Sequence, residues 1–323
     1  MGNDIQCDVA IILVTFNSSK YIRKCIESIK TCLAGIDYSF SIVIVDNASN
    51  DDTRKILADI ETNDPSMRVI LLEENIGFGS ANNAGFAAVS ANFYVLLNSD
   101  AWLIADSISP VIGAMKLNPN IAVCGLPLVF PDGSPQTYAY KPSSWYRWLL
   151  ISLGIRALAA RLVSVKALVP VLKLLPYGRE FVTSQRRQKF SFQQIKADEY
   201  SGDLRNADWV CGAAMILSGN FIRESGGFDG AIFLYGEDED LCMEAHRRGR
   251  EVVVADVPPV VHVFGWGANR FNRQVSDLKY VSLRYFIEKN IQSRFERIMM
   301  KLVLPFYVYG LGRWYMALYA RKT

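Results

Sequence analysis

The sequence predicts an α/β fold with a mainly parallel sheet flanked by helices. Strand and helix signals alternate through the first hundred residues. The strand segments are apolar throughout, as expected where both faces of a sheet are covered. Polar clusters stand at the carboxyl ends of those segments, where open parallel sheets bind ligands.

Each element follows from its own pattern. Val9-Ala-Ile-Ile-Leu-Val14 is the first strand, and Tyr21, Cys25, Ile29 and Cys32 give helical spacing over 20–32. Phe40–Val45 is the second strand. Ser49-Asn-Asp-Asp52 has the spacing of a capping box and opens a helix towards Ile60. Val69–Leu72, a helix over about 80–90 and Phe93–Leu97 continue the alternation. A helix near 106–117 and a strand over 121–128 follow. Residues 133–205 then read as an insertion or lid, and regular pattern returns at Asp208–Leu217. A helix starts near Asp238 and ends at Gly249, followed by a strand over Val252–Val257. The tail from about Ser276 is helical, with Pro305 as a break. The domains predicted are 1–270, which contains the insertion, and a helical extension over 271–323.

Half of the 323 residues are apolar and the net charge is only +3, so a large core is available. That small charge hides a segregation. Residues 133–179 hold seven cations and no acid, and residues 297–323 hold five cations and no acid. Setting these twelve cations aside leaves −9 on the other 249 residues. The two basic segments are leucine-rich and lack the arginine–aromatic strip of a nucleic-acid binder, so nucleic acid is excluded as a partner. Their cations and tryptophans (Trp145, Trp148, Trp314) suit contact with an anionic membrane surface instead. No apolar run spans a bilayer, Leu302–Gly312 being too short, and no apolar signal core opens the sequence. The six cysteines form no CxxC pair and read as reduced, buried thiols. The expected location is cytoplasmic, peripheral on the inner face of the cytoplasmic membrane.

The strand-end clusters are Thr15-Phe-Asn17, Asp46-Asn47, Asn75 and Asn98-Ser99-Asp100. Gly77-Phe-Gly79-Ser-Ala-Asn82 lacks the last glycine of a dinucleotide fingerprint and follows the third strand, not the first, which argues against a nicotinamide enzyme. Its glycines read as a tight entry into the next helix. Asn98-Ser99-Asp100 suits a hard divalent cation shared with a diphosphate, or equally a turn capped by Asp100. Glu237-Asp-Glu-Asp240 begins a helix. Its acids complement the helix dipole, but four in a row repel, so one or more faces a cation or a reacting proton. His262 stands after a strand in apolar context, where core packing and metal ligation are both open readings; His246 reads as a surface residue.

Taken in order, Ile12–Asn17, Val45–Ser49, Asn75–Gly79 with Asn82–Gly85, Leu97–Ala101, Asp208–Ala213, Gly227–Asp229, Tyr235–Leu241 and His262 resemble the family 2 inverting glycosyltransferases of the GT-A fold, and within them the bacterial rhamnosyltransferase-like branch. The resemblance implies that Val14, Thr15, Asn17 and Asp46 hold the nucleotide, and that Asn75, Asn83, Asn98 and Ser99 line the nucleotide-sugar pocket. Asp100 and His262 would bind Mg²⁺ or Mn²⁺ on the diphosphate. Asp238 would be the catalytic base, supported by Glu237 and Asp240. Trp209 and Gly212 would sit near the donor sugar and the acceptor entrance. The implied partners are a dTDP- or UDP-linked sugar and a glycan or lipid-linked glycan acceptor. Rhamnose is the expected sugar; galactofuranose, an N-acetylhexosamine or a non-catalytic sugar-nucleotide-binding protein are the alternatives. One departure is that the metal motif carries one acid, Asp100, where the family often has two.

Overall fold

The computed structural model describes residues 6–64, 66–153, 200–263 and 273–310. The first half-sheet is built from β1 (Gln6–Thr15), β2 (Phe40–Asp46), β3 (Met67–Leu71) and β4 (Ser90–Leu97), all parallel and ordered β3-β2-β1-β4. They are joined by α1 (Ile22–Cys32), α2 (Thr53–Asn63) and α3 (Phe78–Ala88). Alternate residues of β1 go to opposite faces. Val9, Ile11 and Leu13 pack with Ile22, Cys25 and Ile29 of α1, while Ala10 and Ile12 pack with Ala81 and Phe86 of α3. A strand with helices on both faces has no polar side, which is why its sequence is apolar without alternation.

Beyond β4 come β5 (Ala101–Trp102), α4 (Ser109–Leu117), β6 (Ile121–Gly125), β7 (Leu128–Val129), β8 (Ala139–Tyr140) and α5 (Trp145–Ser152). The chain continues through β9 (Leu204–Asn206), β10 (Trp209–Val210), β11 (Ala214–Ser218), α6 (Gly219–Ser225), α7 (Glu237–Arg247), β12 (Glu251–Ala255) and β13 (Val260–His262). The main sheet is completed in the order β4-β11-β6-β12-β9. β11 runs against β4 and β6, and β9 against β12; the other six strands are parallel. The segment expected as one strand over 121–128 divides, because β6 stays in the main sheet while β7 joins β5 and β13 in a small second one.

The described tail is a helical pair, α8 (Arg273–Asn290) and α9 (Arg294–Tyr309). With α5 it forms a third core of Trp148, Leu283, Ile287, Met300, Val303, Leu304 and Val308. Two expectations are corrected here. Pro305 does not break the helix: it lies inside α9 on the exposed side, where water can take the carbonyl it leaves unbonded. The break falls between α8 and α9, where Ser293 Oγ caps α9 by accepting from Glu296 N at 3.3 Å. Trp148 is 3% exposed and stacks on Tyr307 at 4.7 Å, so it serves packing and not a lipid surface. Most of the insertion and Trp314 lie outside the described residues.

Two glycines test the packing of helices on the sheet. A Cβ on Gly85 would stand 2.6 Å from Ile12 Cγ2 in the fully buried centre, whereas one on Gly113 in α4 would meet nothing within 4 Å. Gly85→Ala should cost ~1–3 kcal/mol by overpacking, while Gly113→Ala should be neutral or stabilise by ~0.5–1 kcal/mol. Denaturant unfolding of both variants checks the contrast; equal effects would contradict the close α3–β1 contact.

Candidate active site

The carboxyl ends of β1, β2 and β4 stand side by side, and their loops are tied together by side chains. Asp46, at the end of β2, is fully buried. Its Oδ1 accepts from Thr15 Oγ1 at 2.9 Å; its Oδ2 accepts from Ser49 N at 3.0 Å and Arg54 Nε at 2.8 Å. Ser49 Oγ accepts from Asn17 N at 2.9 Å, and Asn17 Oδ1 accepts from Asn50 N at 2.9 Å. The expected capping role of Ser49 is therefore corrected. Its hydroxyl is taken by the Asn17 loop, and α2 begins only at Thr53, whose N–H donates to Asp51 Oδ1. Asn75 Oδ1 accepts from Asn47 Nδ2 at 2.9 Å and from Gly77 N at 3.0 Å, and Asn47 Oδ1 accepts from Ile76 N. The half-buried Val14 side chain, near the end of β1, packs against the core on the α3 face.

Gly77 precedes α3 with φ +88°, and a Cβ there would lie 2.4 Å from Phe233 O. The glycine thus serves both the turn and the close approach of the 226–236 loop. Asn83 holds the same loop: Nδ2 donates to Phe228 O at 2.7 Å and Oδ1 accepts from Phe228 N at 2.9 Å. Three non-glycine residues have positive φ, Asn17 (53°), Ala48 (63°) and Tyr235 (69°). Each lies on a loop of this rim, where strained backbone marks a shape held by its surroundings.

The end of β4 carries the second group. Asp100 is 7% exposed and His262, on β13, is 2% exposed. Asp100 Oδ1 lies 3.3 Å from His262 Nε2, and Asn98 Nδ2 lies 3.3 Å from the same nitrogen. Ser99 Oγ meets Ser18 Oγ at 2.7 Å. The tautomer follows from Gln136, a residue the sequence did not single out. Its Nε2 donates to the carbonyls of Val129 and His262, so its Oε1, 3.1 Å from His262 Nδ1, accepts from that ring nitrogen. Nε2 then carries a lone pair, which can accept from Asn98 Nδ2 or ligate a cation beside the Asp100 carboxylate. Among the described residues no cluster of three or more His, Cys, Asp or Glu could hold a metal. Two protein ligands suffice for a hard cation whose remaining sites go to phosphate and water, so these residues fit Mg²⁺ or Mn²⁺ on a diphosphate.

The third group is the start of α7, where the four acids take four different surroundings. Glu237 is buried with Oε2 lacking a partner, and burial, then the neighbouring Asp238, pushes it up to about 8. Asp238 is half-buried; Oδ2 accepts from Gly212 N at 3.1 Å and Oδ1 from Glu239 N at 3.0 Å. Burial raises its pKa against the pull of those two N–H groups. Glu239 accepts from Ser143 N and Ser143 Oγ, both at 2.6 Å, and burial pushes it up to about 7. Asp240 accepts from Lys289 Nζ and Asn290 Nδ2, both at 2.8 Å. The expected cation beside the acidic run is thus Lys289 of α8, and Asp240 ties α7 to α8.

The second and third groups meet across β11. Asn98 N donates to Ala213 O at 2.9 Å, one residue from Gly212. Cys211 beside them is pushed up to about 12 by burial, then by Asp238, Glu237 and Asp100. Trp209 stacks on Tyr140 at 4.2 Å, donates from Nε1 to Lys141 O, and lines a cleft of about 580 Å³ with Glu239, Arg247 and Asn290. The six cysteines are free thiols; Cys25, Cys124 and Cys242 are buried as expected, whereas Cys7, Cys32 and Cys211 are only partly so. Among the described residues no helix is long and apolar enough to cross a membrane.

Gln136, Ser143, Arg54 and Lys289 were not legible as site residues. Gln136 and Ser143 reach their partners across 126 and 96 residues, and no local pattern marks them.

The raised Glu237 pKa has a consequence for stability. A carboxyl with a raised folded-state pKa favours folding while protonated. That advantage is complete below its unfolded value near ~4.3 and is lost as pH rises through the folded value of about 8. Glu237→Gln should therefore gain in melting temperature over the parent chain as pH rises from ~5 to ~9. Thermal unfolding across that range checks it; a difference independent of pH would contradict the burial argument.

Comparison with known proteins bears on the family and the fold. Residues 10–169 match the family model Glycosyl transferase family 2. The chain is 35% identical over 127 residues to the succinoglycan biosynthesis protein ExoO of Rhizobium meliloti (strain 1021), covering 39% of this chain and only 35% of that relative's length. It is 22% identical over 263 residues to the N-acetylglucosaminyl-diphospho-decaprenol L-rhamnosyltransferase of Mycobacterium tuberculosis (strain CDC 1551 / Oshkosh), covering 78% of this chain and 75% of the relative. In fold it is similar to the mannosyltransferase PcManGT from Pyrobaculum calidifontis, solved with GDP-Man and Mn²⁺, with a TM-score of 0.52 at 14% identity over 98% of this chain and 74% of that one. The chain carries a Glycosyl transferase family 2 domain built on the GT-A fold.

Proposed function

We propose that this protein is an inverting, metal-dependent glycosyltransferase that moves a sugar from a nucleotide diphosphate to a hydroxyl of a growing, lipid-linked cell-surface glycan. Rhamnose from a dTDP- or UDP-linked donor is the favoured sugar, on the strength of the mycobacterial relative that spans most of this chain. The observation that carries the reading is the juxtaposition of Asp100 and His262 with Asp238 across β11. It supports a reading with one cation site and one separate base at a single sheet edge.

The chain's residues take these roles. Asn17 and Asn75 shape the nucleotide end of the rim, together with Val14 and Thr15. Asp46 and Asn83 act as positioning residues, since both carboxylate oxygens of one and both amide ends of the other are committed internally. Asn98 and Ser99 present Asp100. Asp100 Oδ1 and His262 Nε2 would hold Mg²⁺ or Mn²⁺, and Gln136 fixes the imidazole tautomer that leaves Nε2 as a ligand. When bound, the cation supplies Lewis-acid stabilisation of the departing diphosphate.

Asp238 is the base that takes the acceptor hydroxyl proton as that oxygen attacks the anomeric carbon. Gly212 N–H aims its carboxylate. Burial keeps Asp238 more basic than an exposed aspartate. Asp238 in turn helps keep the neighbouring Glu237 protonated, and Asp240 anchors the helix through Lys289. Trp209 offers an apolar ring face at the acceptor side. Residues 1–270 are the catalytic domain and 271–323 the extension, with location at the inner face of the cytoplasmic membrane.

The test pairs binding with turnover. Asp238→Asn should retain thermal stabilisation by the nucleotide sugar with Mn²⁺ while transfer falls by at least ~10²-fold. Unchanged transfer would remove Asp238 as the base. Loss of donor binding along with turnover would instead make it a binding residue.

A further inference from the structure

The helix α9 is apolar on two opposite sides, and among the described residues only one of them packs into a core. Met300, Val303, Leu304 and Val308 face inward to the core shared with α5 and α8. Outward stand Phe295, Ile298, Leu302, Phe306 and Tyr309, between 40% and 64% exposed. Their spacing of three, four, four and three residues makes one stripe along the whole helix. Pro305 is exposed in the same row and Arg294 begins it. The other cations of α9 are turned aside: Arg297 and Lys301 both pair with Glu288 of α8. A continuous apolar stripe of this length is a contact surface rather than scattered exposure.

The sequence around the stripe indicates what it contacts. The described parts of both acid-free basic stretches meet here. One contributes α5, whose Trp148 stacks on Tyr307 of α9. The other contains α9 from Arg297 onward and continues into residues 311–323, which add Arg313, Arg321 and Lys322, with Trp314 and no acid. Apolar and aromatic residues in one row, with cations and no acids in the adjoining chain, are complementary to an anionic lipid surface.

We propose that the outward face of α9 lies in the headgroup boundary of an anionic phospholipid bilayer, with Phe295, Ile298, Leu302 and Phe306 entering the acyl region. The proposal deepens the peripheral location given above and depends on that reading for the location alone, not on the identity of the sugar. It also sets the height of the active site. The end of α8, which packs against α9, holds Asp240 through Lys289 and Asn290, so the membrane-facing layer is bonded directly to the helix that carries Asp238.

The experiment is sedimentation of the full chain with vesicles of phosphatidylcholine alone or mixed with an equal part of phosphatidylglycerol. The parent chain should bind the mixed vesicles, and less as salt rises. The double variant Leu302→Glu/Phe306→Glu should bind at least ~10-fold more weakly while keeping its melting temperature and its stabilisation by nucleotide sugar with Mn²⁺. Equal vesicle binding by parent and variant overturns the proposal. So does a parent chain that is dimeric without lipid and becomes monomeric in the variant, which makes the stripe a subunit interface. A sharp fall in the variant's melting temperature also overturns it, because the chain's own residues would then cover the stripe. Failure of nucleotide sugar to stabilise the parent chain counts against the donor reading and leaves the vesicle result standing.

Discussion

β11 runs against both of its neighbours in an otherwise mostly parallel sheet, and that reversal brings the start of the strand to the end at which β4 finishes. The Asn98 N–H donates to Ala213 O, and the preceding Gly212 N–H donates to Asp238. Two loops separated by more than a hundred residues are thereby held by backbone groups, which cannot change rotamer. In a uniformly parallel sheet this position would bring the opposite end of the strand to the edge. The Asp100–His262 pair and the acids of α7 would then have no fixed relation.

Burial gives the four adjacent acids of α7 different properties. Repulsion would be severe if all were ionised side by side, and the structure disperses them: Asp240 to an ammonium, Glu239 to a serine, Asp238 to backbone N–H groups, and Glu237 to an apolar enclosure that favours its protonated form. The helix N-terminus favours negative charge there, and desolvation opposes it. The balance leaves Asp238 half-buried and held by the Gly212 N–H. The others hold its surroundings, and two of them do so through parts of the chain outside the main sheet, Ser143 before α5 and Lys289 on α8.

Much of this was legible in the sequence where the physics is local. The apolar run of β1 reports directly that both faces are covered, and polar residues at successive strand ends report a rim. The four acids announced a cation or a reacting proton, and Lys289 stands on Asp240. What was not legible depends on contacts across the chain. Gln136 sits in a segment that reads as an insertion, yet it fixes the tautomer of His262. Ser49 has the spacing of a cap, but Asn17 N–H claims its hydroxyl first. Pro305 has the chemistry of a breaker, but its position on the outward side of α9 lets the helix continue. Trp148 has the composition of an interfacial residue, and the fold spends it on Tyr307. The near-neutral total charge conveyed nothing, whereas its two acid-free stretches hold α5 and most of α9, two of the three helices of the third core.

The central claim is that the rim formed by β1, β2 and β4 receives a nucleotide diphosphate whose cation is held by Asp100 and His262. Anomalous diffraction at the manganese edge, from crystals of the chain grown with Mn²⁺ and a uridine diphosphate, measures this directly. The account predicts a manganese peak bonded to Asp100 Oδ1 and His262 Nε2, with the diphosphate on the same ion and the uridine along the Asn17–Asn75 rim. A diphosphate bound away from these strand ends, or a manganese ion held by other residues with the nucleotide in place, would contradict it.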